Sequence, residues 1–298
     1  MKSSVLESKS HHTTREKSRG AFAWLKKAPT MLAWLLFSLL FVTQVYPLIW
    51  LLLYSFKTNE EILDGSFFSF PQSLQWNNYK EAYINGDYLT ALMNSIIVTG
   101  TTLVITIVFS AMAAYAISRF RWRYGSLVLV LFMMGIMIPQ QSVLLPLLII
   151  LKNIKLLDTY AALIFPYVAF AIPVCVFILS GFLRSIPHEI EESAFMDGAS
   201  VPRMFVSIIL PIAMPPITTA TILTFISVWN EYIKAATFIT SSSLKTLPFG
   251  VYSFISEFST NYGTMGAFLV MAALPVVLFY FIMAQKITSG MVAGAIKG

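Results

Sequence analysis

The chain of 298 residues is 57% hydrophobic and 11% charged, with a net charge of +6. A charged fraction below half of the usual value excludes an ordinary soluble domain and predicts a membrane protein. The single cysteine, Cys175, excludes an internal disulfide. The basic residues crowd at the borders of apolar segments, which favours a membrane-orientation signal over a nucleic-acid-binding surface.

Six apolar segments reach the ~20 residues that a helix needs to span a bilayer. They lie at residues 30–56, 89–117, 125–151, 159–183, 213–236 and 265–286. The first segment follows a basic stretch and is too long for the core of a cleavable signal peptide, so we expect it to be a signal anchor. The chain is therefore predicted to be an all-α membrane protein with six transmembrane helices.

Basic residues divide unequally between the two sides of these six helices. Of the 20 Lys and Arg residues, 14 fall on the side that carries both termini. Cytoplasmic segments are enriched in Lys and Arg, so both termini are predicted to be cytoplasmic. The predicted regions are a cytoplasmic basic tail at 1–28, a first transmembrane helix at 29–57, an extracellular loop at 58–87, a transmembrane domain at 88–286 and a cytoplasmic C-terminal tail at 287–298.

The cytoplasmic loop at residues 185–215 is longer than a connection between neighbouring helices needs. It is predicted to contain two short helices. Ser185 is expected to cap the first helix, and Ser200 to cap a second helix that Pro211 ends. Gly198 predicts the stop of the first helix, because glycine adopts the left-handed conformation at little cost.

The first of these short helices is predicted to be amphipathic. Ile186, Ile190 and Ala194 recur at a spacing of four, and the acidic residues are expected on the opposite face. Such a helix either lies on the membrane surface or docks into a groove on a partner. Anionic lipids would repel the acidic face, so docking onto a partner protein is favoured.

The same loop resembles a motif of a known family, the EAA loop of the membrane subunits of ABC importers. The pattern has Glu192, Ala194, Asp197, Gly198 and Ala199, followed by Phe205, Leu210 and Pro211. Ser193 departs from the alanine that is usual in the family, and both side chains are small. Further stretches are similar to the binding-protein-dependent sugar permeases, the branch with the second membrane subunit of the maltose importer: NSIIVT, AYAISRFRWR, MIPQQSVLLPL, FLRSIP, WNEY and GMVAGAIKG.

This resemblance covers about residue 75 to the end of the chain and implies a type I ABC importer fold with a cytoplasmic coupling helix between spans four and five. The chain would form half of the path for a carbohydrate, an oligosaccharide, across a bacterial plasma membrane. The implied partners are a sister permease subunit in a heterodimer, two cytoplasmic ATPase subunits, an extracellular solute-binding protein and membrane lipid, without nucleic acid. The chain itself is expected to bind no cofactor, because ATP and Mg²⁺ belong to the ATPase subunits.

The resemblance also implies which residues couple the chain to the ATPase. They are Glu192, Ala194, Phe195, Asp197, Gly198, Ala199, Phe205, Leu210 and Pro211. Phe195 is the expected apolar side chain that enters a cleft of the ATPase, and Glu192 is expected to pair with a basic residue there. Asp197 is expected to accept hydrogen bonds from backbone amides beyond the Gly198 turn.

Polar residues inside the predicted spans are candidates for the sugar path. Glu231 lies in the fifth span beside Trp229 and Asn230, and Gln140 and Gln141 lie in the third. Ionisable groups inside a membrane are commonly functional, and amides suit sugar hydroxyls. The alternatives are a polar helix end satisfied by its neighbours for Glu231, and hydrogen bonds between helices for the glutamines.

Several catalytic motifs are missing from the sequence. No G-x-x-x-x-G-K-[ST] loop is present, so ATP hydrolysis is expected on another chain. The H-E-x-x-H zinc motif fails because position 192 is Glu, and neither a metal site nor an enzyme is predicted. The alternative function is an ion-coupled secondary transporter, which would show internal repeats and midplane charges that are not evident. A membrane-embedded enzyme would need a cluster of titratable groups, and one Glu is too few.

Overall fold

The computed structural model describes residues 30–66, 68–120, 122–255 and 260–295, so the predicted basic tail lies outside the described residues. Apart from one isolated bridge between Ile255 and Thr260, the described residues form helices, turns and loops without a strand. The predicted all-α class is therefore confirmed.

Fourteen α-helices follow one another along the described part of the chain. They are α1 (Thr30–Tyr54), α2 (Asn59–Leu63), α3 (Trp76–Asn85), α4 (Tyr88–Arg119), α5 (Gly125–Ile136), α6 (Leu144–Asn153), α7 (Tyr160–Leu183), α8 (Glu189–Met196), α9 (Val201–Met204), α10 (Leu210–Ile212), α11 (Met214–Trp229), α12 (Ile233–Phe238), α13 (Leu247–Gly250) and α14 (Tyr262–Ala295). A π-helical turn at Phe205–Ile209 joins α9 to α10. Within the described residues, α1, α4, α7 and α14 are each long and apolar enough to cross a bilayer. Helix α14 runs past residue 286, where the sixth span was predicted to end.

The third predicted span, at 125–151, is wrong as a single continuous helix. The structure has two short apolar helices of 12 and 10 residues, α5 and α6, separated by residues 137–143. Pro139 has no N–H to donate and disfavours a helical conformation at Ile138. The polar Gln140 and Gln141 follow at this break, so the glutamines lie between two helices and not inside one.

The fifth predicted span, at 213–236, is also wrong as a single continuous helix. Helix α11 ends at Trp229, and α12 begins only at Ile233, so Glu231 lies in a break between two helices. At its other end α11 is bent by 75° from the preceding helical segment Val201–Ile212. Prolines at the first positions of α11 start the new helix direction, because they lack an N–H to continue the old one.

Helix α4 packs most extensively against α7. Its buried residues include five small hydroxyl side chains, each at most 3% exposed: Ser95, Thr99, Thr102, Thr106 and Ser110. Small residues let two membrane helices approach closely. The Ser110 hydroxyl donates to the Ile172 carbonyl at 3.4 Å, and the Ser118 hydroxyl donates to the Ser180 carbonyl at 3.3 Å. Helix α4 thereby becomes the central element of the chain.

The segment between α1 and α4 is fixed to the beginning of α14. The Asn59 side-chain oxygen accepts the N–H of Tyr262 at 2.9 Å. The Glu81 carboxylate accepts a hydrogen bond from the Thr264 hydroxyl at 3.1 Å. These side chains satisfy polar groups at the start of α14, which has no earlier turn to bond them.

Asp158 ties the turn between α6 and α7 to the chain that follows α12. Its carboxylate accepts the backbone N–H groups of Thr240 and Ser241, each at 2.9 Å, and the Ser241 hydroxyl. Its own N–H donates to the Phe238 carbonyl at 2.9 Å. The bonds from the Ser241 side chain and backbone, followed by those from Thr240, lower the pKa of the Asp158 carboxyl from 3.8 to about 2.

We predict that Asp158→Asn lowers the thermal midpoint of the detergent-solubilised protein by a few degrees at pH 7. The carboxylate is favoured in the folded state, so its contribution is fully present above pH ~4 and disappears as the pH falls through about 2. The gap between the variant and the wild type should therefore close between pH 4 and pH 2 in a thermal-shift series. Asp64→Asn, at an exposed acid in the segment between α1 and α4, is the control and should show no gap between the variant and the wild type. A gap that persists unchanged at pH 2 would contradict this assignment.

Candidate functional site

The loop at 185–215 folds as two short helices joined by a tight turn, as predicted. Gly198 follows the end of α8 with a φ of 78°. Its N–H donates to the Phe195 carbonyl at 2.9 Å, and the Ala199 N–H donates to the Ala194 carbonyl at 3.0 Å. These two bonds form a Schellman turn, so the predicted glycine stop is confirmed.

The predicted cap at Ser185 is wrong, and the predicted cap at Ser200 is correct in position only. The Ser185 hydroxyl donates to the Phe182 carbonyl at 2.7 Å and so belongs to the end of α7, whose last carbonyls lack helical partners. Helix α8 begins later, at Glu189. Ser200 does occupy the position before α9, but its side chain makes no capping hydrogen bond.

The buried face of α8 also differs from the prediction. Ala194 is buried as expected, but Ile190 is 37% exposed. Glu191 faces inwards instead, and its Oε2 lies 3.3 Å from the Nε of Arg119 at the end of α4. The spacing of four misled because Ile186, although buried, lies before the first residue of the helix. The Arg119 side chain is only 2% exposed, and an arginine buried to this degree requires an anion nearby.

The outward face of α8 carries two large apolar side chains. Phe195 is 69% exposed and Met196 is 84% exposed. Glu192 and Asp197 lie beside them in solvent. Within the described part of the chain the Asp197 carboxylate accepts no hydrogen bond, so the predicted bonds to amides beyond the turn are absent. An open cleft of about 940 Å³ separates this part of α8 from α9 and the end of α4.

The second short helix of the loop continues further than predicted. Pro211 does not end it, because the helix runs to Ile212 before the bend into α11. The π-helical turn precedes the proline, and there the Leu210 N–H donates to the Phe205 carbonyl. Phe205 packs on Tyr115 of α4 with ring centroids 5.0 Å apart. The loop is thus fixed to α4 through both of its helices.

A second polar site lies where α7, the α11–α12 break and the α5–α6 break meet. Glu231 Oε2 accepts the Tyr167 hydroxyl at 2.6 Å. The Lys234 Nζ donates to Gln140 Oε1 at 2.8 Å and lies 3.6 Å from Glu231 Oε1. Lys234 is 3% exposed, and its Nζ also lies 5.5 Å from the ring centroid of Phe170. The structure therefore joins two predicted residues, Gln140 and Glu231, through a lysine that was not among the predicted site residues.

A cavity of about 240 Å³ opens beside this cluster. Gln140 and Glu231 supply polar atoms to its wall, and Tyr167 and Phe170 supply aromatic rings. Aromatic faces combined with a few polar groups are typical of sites for small organic ligands. No group of three or more His, Cys, Asp or Glu side chains is placed to hold a metal ion within the described residues.

Of the other three predicted path residues, Trp229 and Asn230 lie elsewhere. Trp229 is buried at 5% and stacks on Phe225 with ring centroids 5.2 Å apart. Trp229 and Asn230 border a separate, largely apolar cavity of about 490 Å³ between α1, α11 and α14. Gln141 lies at the polar cluster, because it borders a small pocket of about 20 Å³ that Gln140, Glu231 and Lys234 also line.

Sequence reasoning missed several residues of these two sites, among them Tyr115, Arg119, Tyr167 and Lys234. Only Lys234 carries a local signal, because it lies three residues after Glu231, and residues at that spacing meet on one helix face. The others come from distant helices, so only the fold brings them to their partners.

Comparison with known sequences defines the family. The sequence profile of the binding-protein-dependent transport system inner membrane components matches residues 106–292, more than half of the chain. The chain belongs to this family. A putative ABC transporter permease protein, ORF2, of Caldicellulosiruptor is 36% identical over 252 residues, covering 85% of this chain and 91% of that protein. The trehalose transport system permease protein SugB of Mycobacterium tuberculosis is 34% identical over 254 residues, covering 85% and 92%.

Solved structures agree with this family at the level of the fold. A bacterial ABC transporter that imports the acidic polysaccharide alginate matches with a TM-score of 0.74 at 20% identity, covering 86% of this chain and 95% of that chain. The methionine ABC transporter MetNI matches with a TM-score of 0.53 at 18% identity, covering 68% and 95%. The type I importer fold is therefore confirmed.

Membership of the permease family confirms the general function predicted from the sequence. The chain is a multi-pass membrane component of an ABC importer, and it is a transport component rather than an enzyme. The family implies partnership with an ATPase and with a binding protein. It decides against the alternative of a secondary transporter that works without an ATPase.

We predict that Gly198→Val disconnects the permease from its ATPase, whereas Gly198→Asn does not. A Cβ at Gly198 would meet no atom within 4 Å, so the effect of substitution comes from its φ of 78° alone. Valine is strained there by ~1–2 kcal/mol or more, and asparagine tolerates the region. The measurement is the amount of ATPase that co-purifies with tagged permease from membranes, normalised to full-length permease. Equal amounts of ATPase retained by the wild type and by Gly198→Val would show that the turn does not set the orientation of the loop toward the ATPase.

Proposed function

We propose that this chain forms half of the membrane path for an oligosaccharide that an extracellular binding protein delivers. The sugar class is supported by relatives of comparable length. Besides the trehalose permease, they include a permease named for starch degradation products, 34% identical, and one named for diacetylchitobiose uptake, 32% identical. The cavity beside Gln140, Tyr167 and Glu231 offers the hydrogen-bonding groups and aromatic faces that sugar rings require.

We place the chain in a bacterial plasma membrane with both termini in the cytoplasm, paired with a sister permease in a heterodimer above two ATPase subunits. The excess of Lys and Arg on the side of the termini supports this orientation. Helix α1 supports the pairing, because none of its most apolar window is buried inside the chain. ATP and Mg²⁺ are assigned to the ATPase subunits.

The loop at 185–215 is the part of the chain that we assign to coupling with the ATPase. The single observation that carries this assignment is the exposure of Phe195 and Met196 at the C-terminal end of α8. Large apolar side chains on a short, well-anchored helix are typical anchors for a groove on a partner. Glu192 beside them is exposed and so is available to a basic residue of that groove.

The substrate assignment is tested by uptake and by the ligand of the binding protein. Cells that express the permease with its sister subunit, ATPase and binding protein are supplied with labelled trehalose, maltose or diacetylchitobiose. Uptake that requires the permease and the ATPase, together with a carbohydrate identified by mass spectrometry on the binding protein, is the expected result. Uptake that survives inactivation of the ATPase, or a binding protein that carries a non-carbohydrate ligand, would overturn the proposal.

We predict that Phe195→Ala reduces ATPase co-purification by about tenfold or more, because truncating a central interface anchor commonly costs ~2 kcal/mol or more. The amount of permease in the membrane should not change, since Phe195 is 69% exposed within the chain. Leu63→Ala is the matched control, because Leu63 is 66% exposed in the predicted extracellular segment. Undiminished co-purification with Phe195→Ala would remove this side chain from the coupling interface.

We predict that Glu231→Gln lowers both thermal stability and uptake, because it leaves Lys234 buried without its anion. Removing one partner of a buried pair costs ~3–5 kcal/mol. The double variant Glu231→Gln/Lys234→Met removes the unpaired cation and should recover stability but not uptake, since the polar wall of the cavity stays altered. Thermal midpoints and uptake of the same labelled sugars separate the two effects. Wild-type uptake by the double variant would exclude this cluster from the sugar path.

A further inference from the structure

The ion pair between Arg119 and Glu191 joins two elements that are far apart in the sequence. Arg119 is the last residue of α4, and Glu191 lies in the first turn of α8. Their side chains are 2% and 13% exposed, and Nε lies 3.3 Å from Oε2. The pair therefore lies behind the exposed face of α8 and not on it.

Glu191 is the only charge partner of Arg119 within the described residues. The three guanidinium nitrogens are buried and make no hydrogen bond there. His188, 60% exposed, lies 3.9 Å from the same Glu191 oxygen and is a weaker competitor from the solvent side. Separating the pair would leave a buried arginine without an anion, which is strongly unfavourable. This cost opposes any movement of α8 that would separate Glu191 from Arg119.

The neighbouring glutamates of α8 point in different directions. Glu191 faces α4, whereas Glu192 is exposed and its carboxylate makes no hydrogen bond or ion pair within the described part of the chain. Two acids next to each other in the helix therefore serve different surfaces. One is occupied inside the chain, and the other is free for a partner.

Helix α4 extends from this pair to the opposite side of the protein. Its 32 residues form one continuous helix of about 48 Å. Near its other end Asn94 donates to the carbonyls of Ser243 and Lys245, both at 2.9 Å, and accepts the Tyr160 hydroxyl at 2.6 Å. A displacement applied at Arg119 therefore reaches loops at the far end of the helix through continuous backbone hydrogen bonds.

We propose that the Arg119–Glu191 pair makes α8 and α4 move as one body, so that a shift of the loop by the ATPase is passed to the membrane-spanning helices. This inference rests on the proposed coupling function of the loop. Arg119 and Glu191 are positioning residues in this scheme: they contact neither the sugar nor ATP. Apolar packing of Ile186 against Ala114 and Tyr115 would hold the start of the loop near α4 without fixing the direction in which α8 moves.

The test compares neutral and swapped variants in the whole importer. Per molecule of permease that accumulates in the membrane, Glu191→Gln should retain the ATPase, but uptake of whichever labelled sugar the wild type takes up best among trehalose, maltose and diacetylchitobiose should fall by about tenfold. ATP hydrolysed per sugar transported should rise. Glu192→Gln should instead lose ATPase, and Glu189→Gln, an exposed acid of the same turn, is the control for charge alone.

The charge swap Arg119→Glu/Glu191→Arg decides between a specific pair and a merely structural role. Recovery of most of the uptake and of the ATP-per-sugar ratio by the double variant, with neither single change active, is the expected result. If the single variants do not accumulate, the swapped protein decides alone: uptake supports the pair, and accumulation without uptake overturns it. Unchanged uptake and ratio in Glu191→Gln also overturn it. A wild-type permease that retains no ATPase would instead overturn the proposed function.

Discussion

Helices α4 and α7 form the most extensive helix–helix contact within the described residues. Lipid gives helices no hydrophobic reason to associate, so their contact depends on close packing and on hydrogen bonds such as Ser110 to Ile172. At one end of this pair, α8 contacts α4 through Glu191 and Arg119, and the π-helical turn after α9 contacts it through Phe205 and Tyr115. Further from that end, α7 contributes Tyr167 to the polar cluster around Glu231. Both functional regions therefore depend on one helix–helix contact.

The sequence was sufficient wherever a local rule has no competitor. The Gly198 stop was predictable because a left-handed turn favours one residue type. The serine caps were not, since a hydroxyl finds alternative acceptors nearby, as Ser185 does at the Phe182 carbonyl. Hydropathy found the long helices but passed over the break at Pro139, because an apolar segment scores alike whether it is one helix or two.

Charges were the least predictable part of both sites. Lys234 was not predicted as a site residue, since lysine seldom occurs buried. Lys234 can be buried because partners from three separate segments surround it: Glu231, Gln140, and the aromatic rings of α7. Glu191 turned inwards for the same reason, through an arginine about 70 residues earlier in the sequence. Such pairings depend on topology, and no periodicity within one helix reveals them.

Helix α1 stands apart from this packing. None of its most apolar window is buried inside the chain. The residues just after it hold the segment between α1 and α4 through hydrogen bonds such as that between the Ser55 and Tyr79 hydroxyls at 2.7 Å. A helix that gains so little packing energy from its own chain is placed in the bilayer mainly by its length and its flanking residues. During biosynthesis it can leave the translocon and settle before any other span exists. Its sequence is then free to adapt to lipid thickness or to a neighbouring subunit without disturbing the fold that follows.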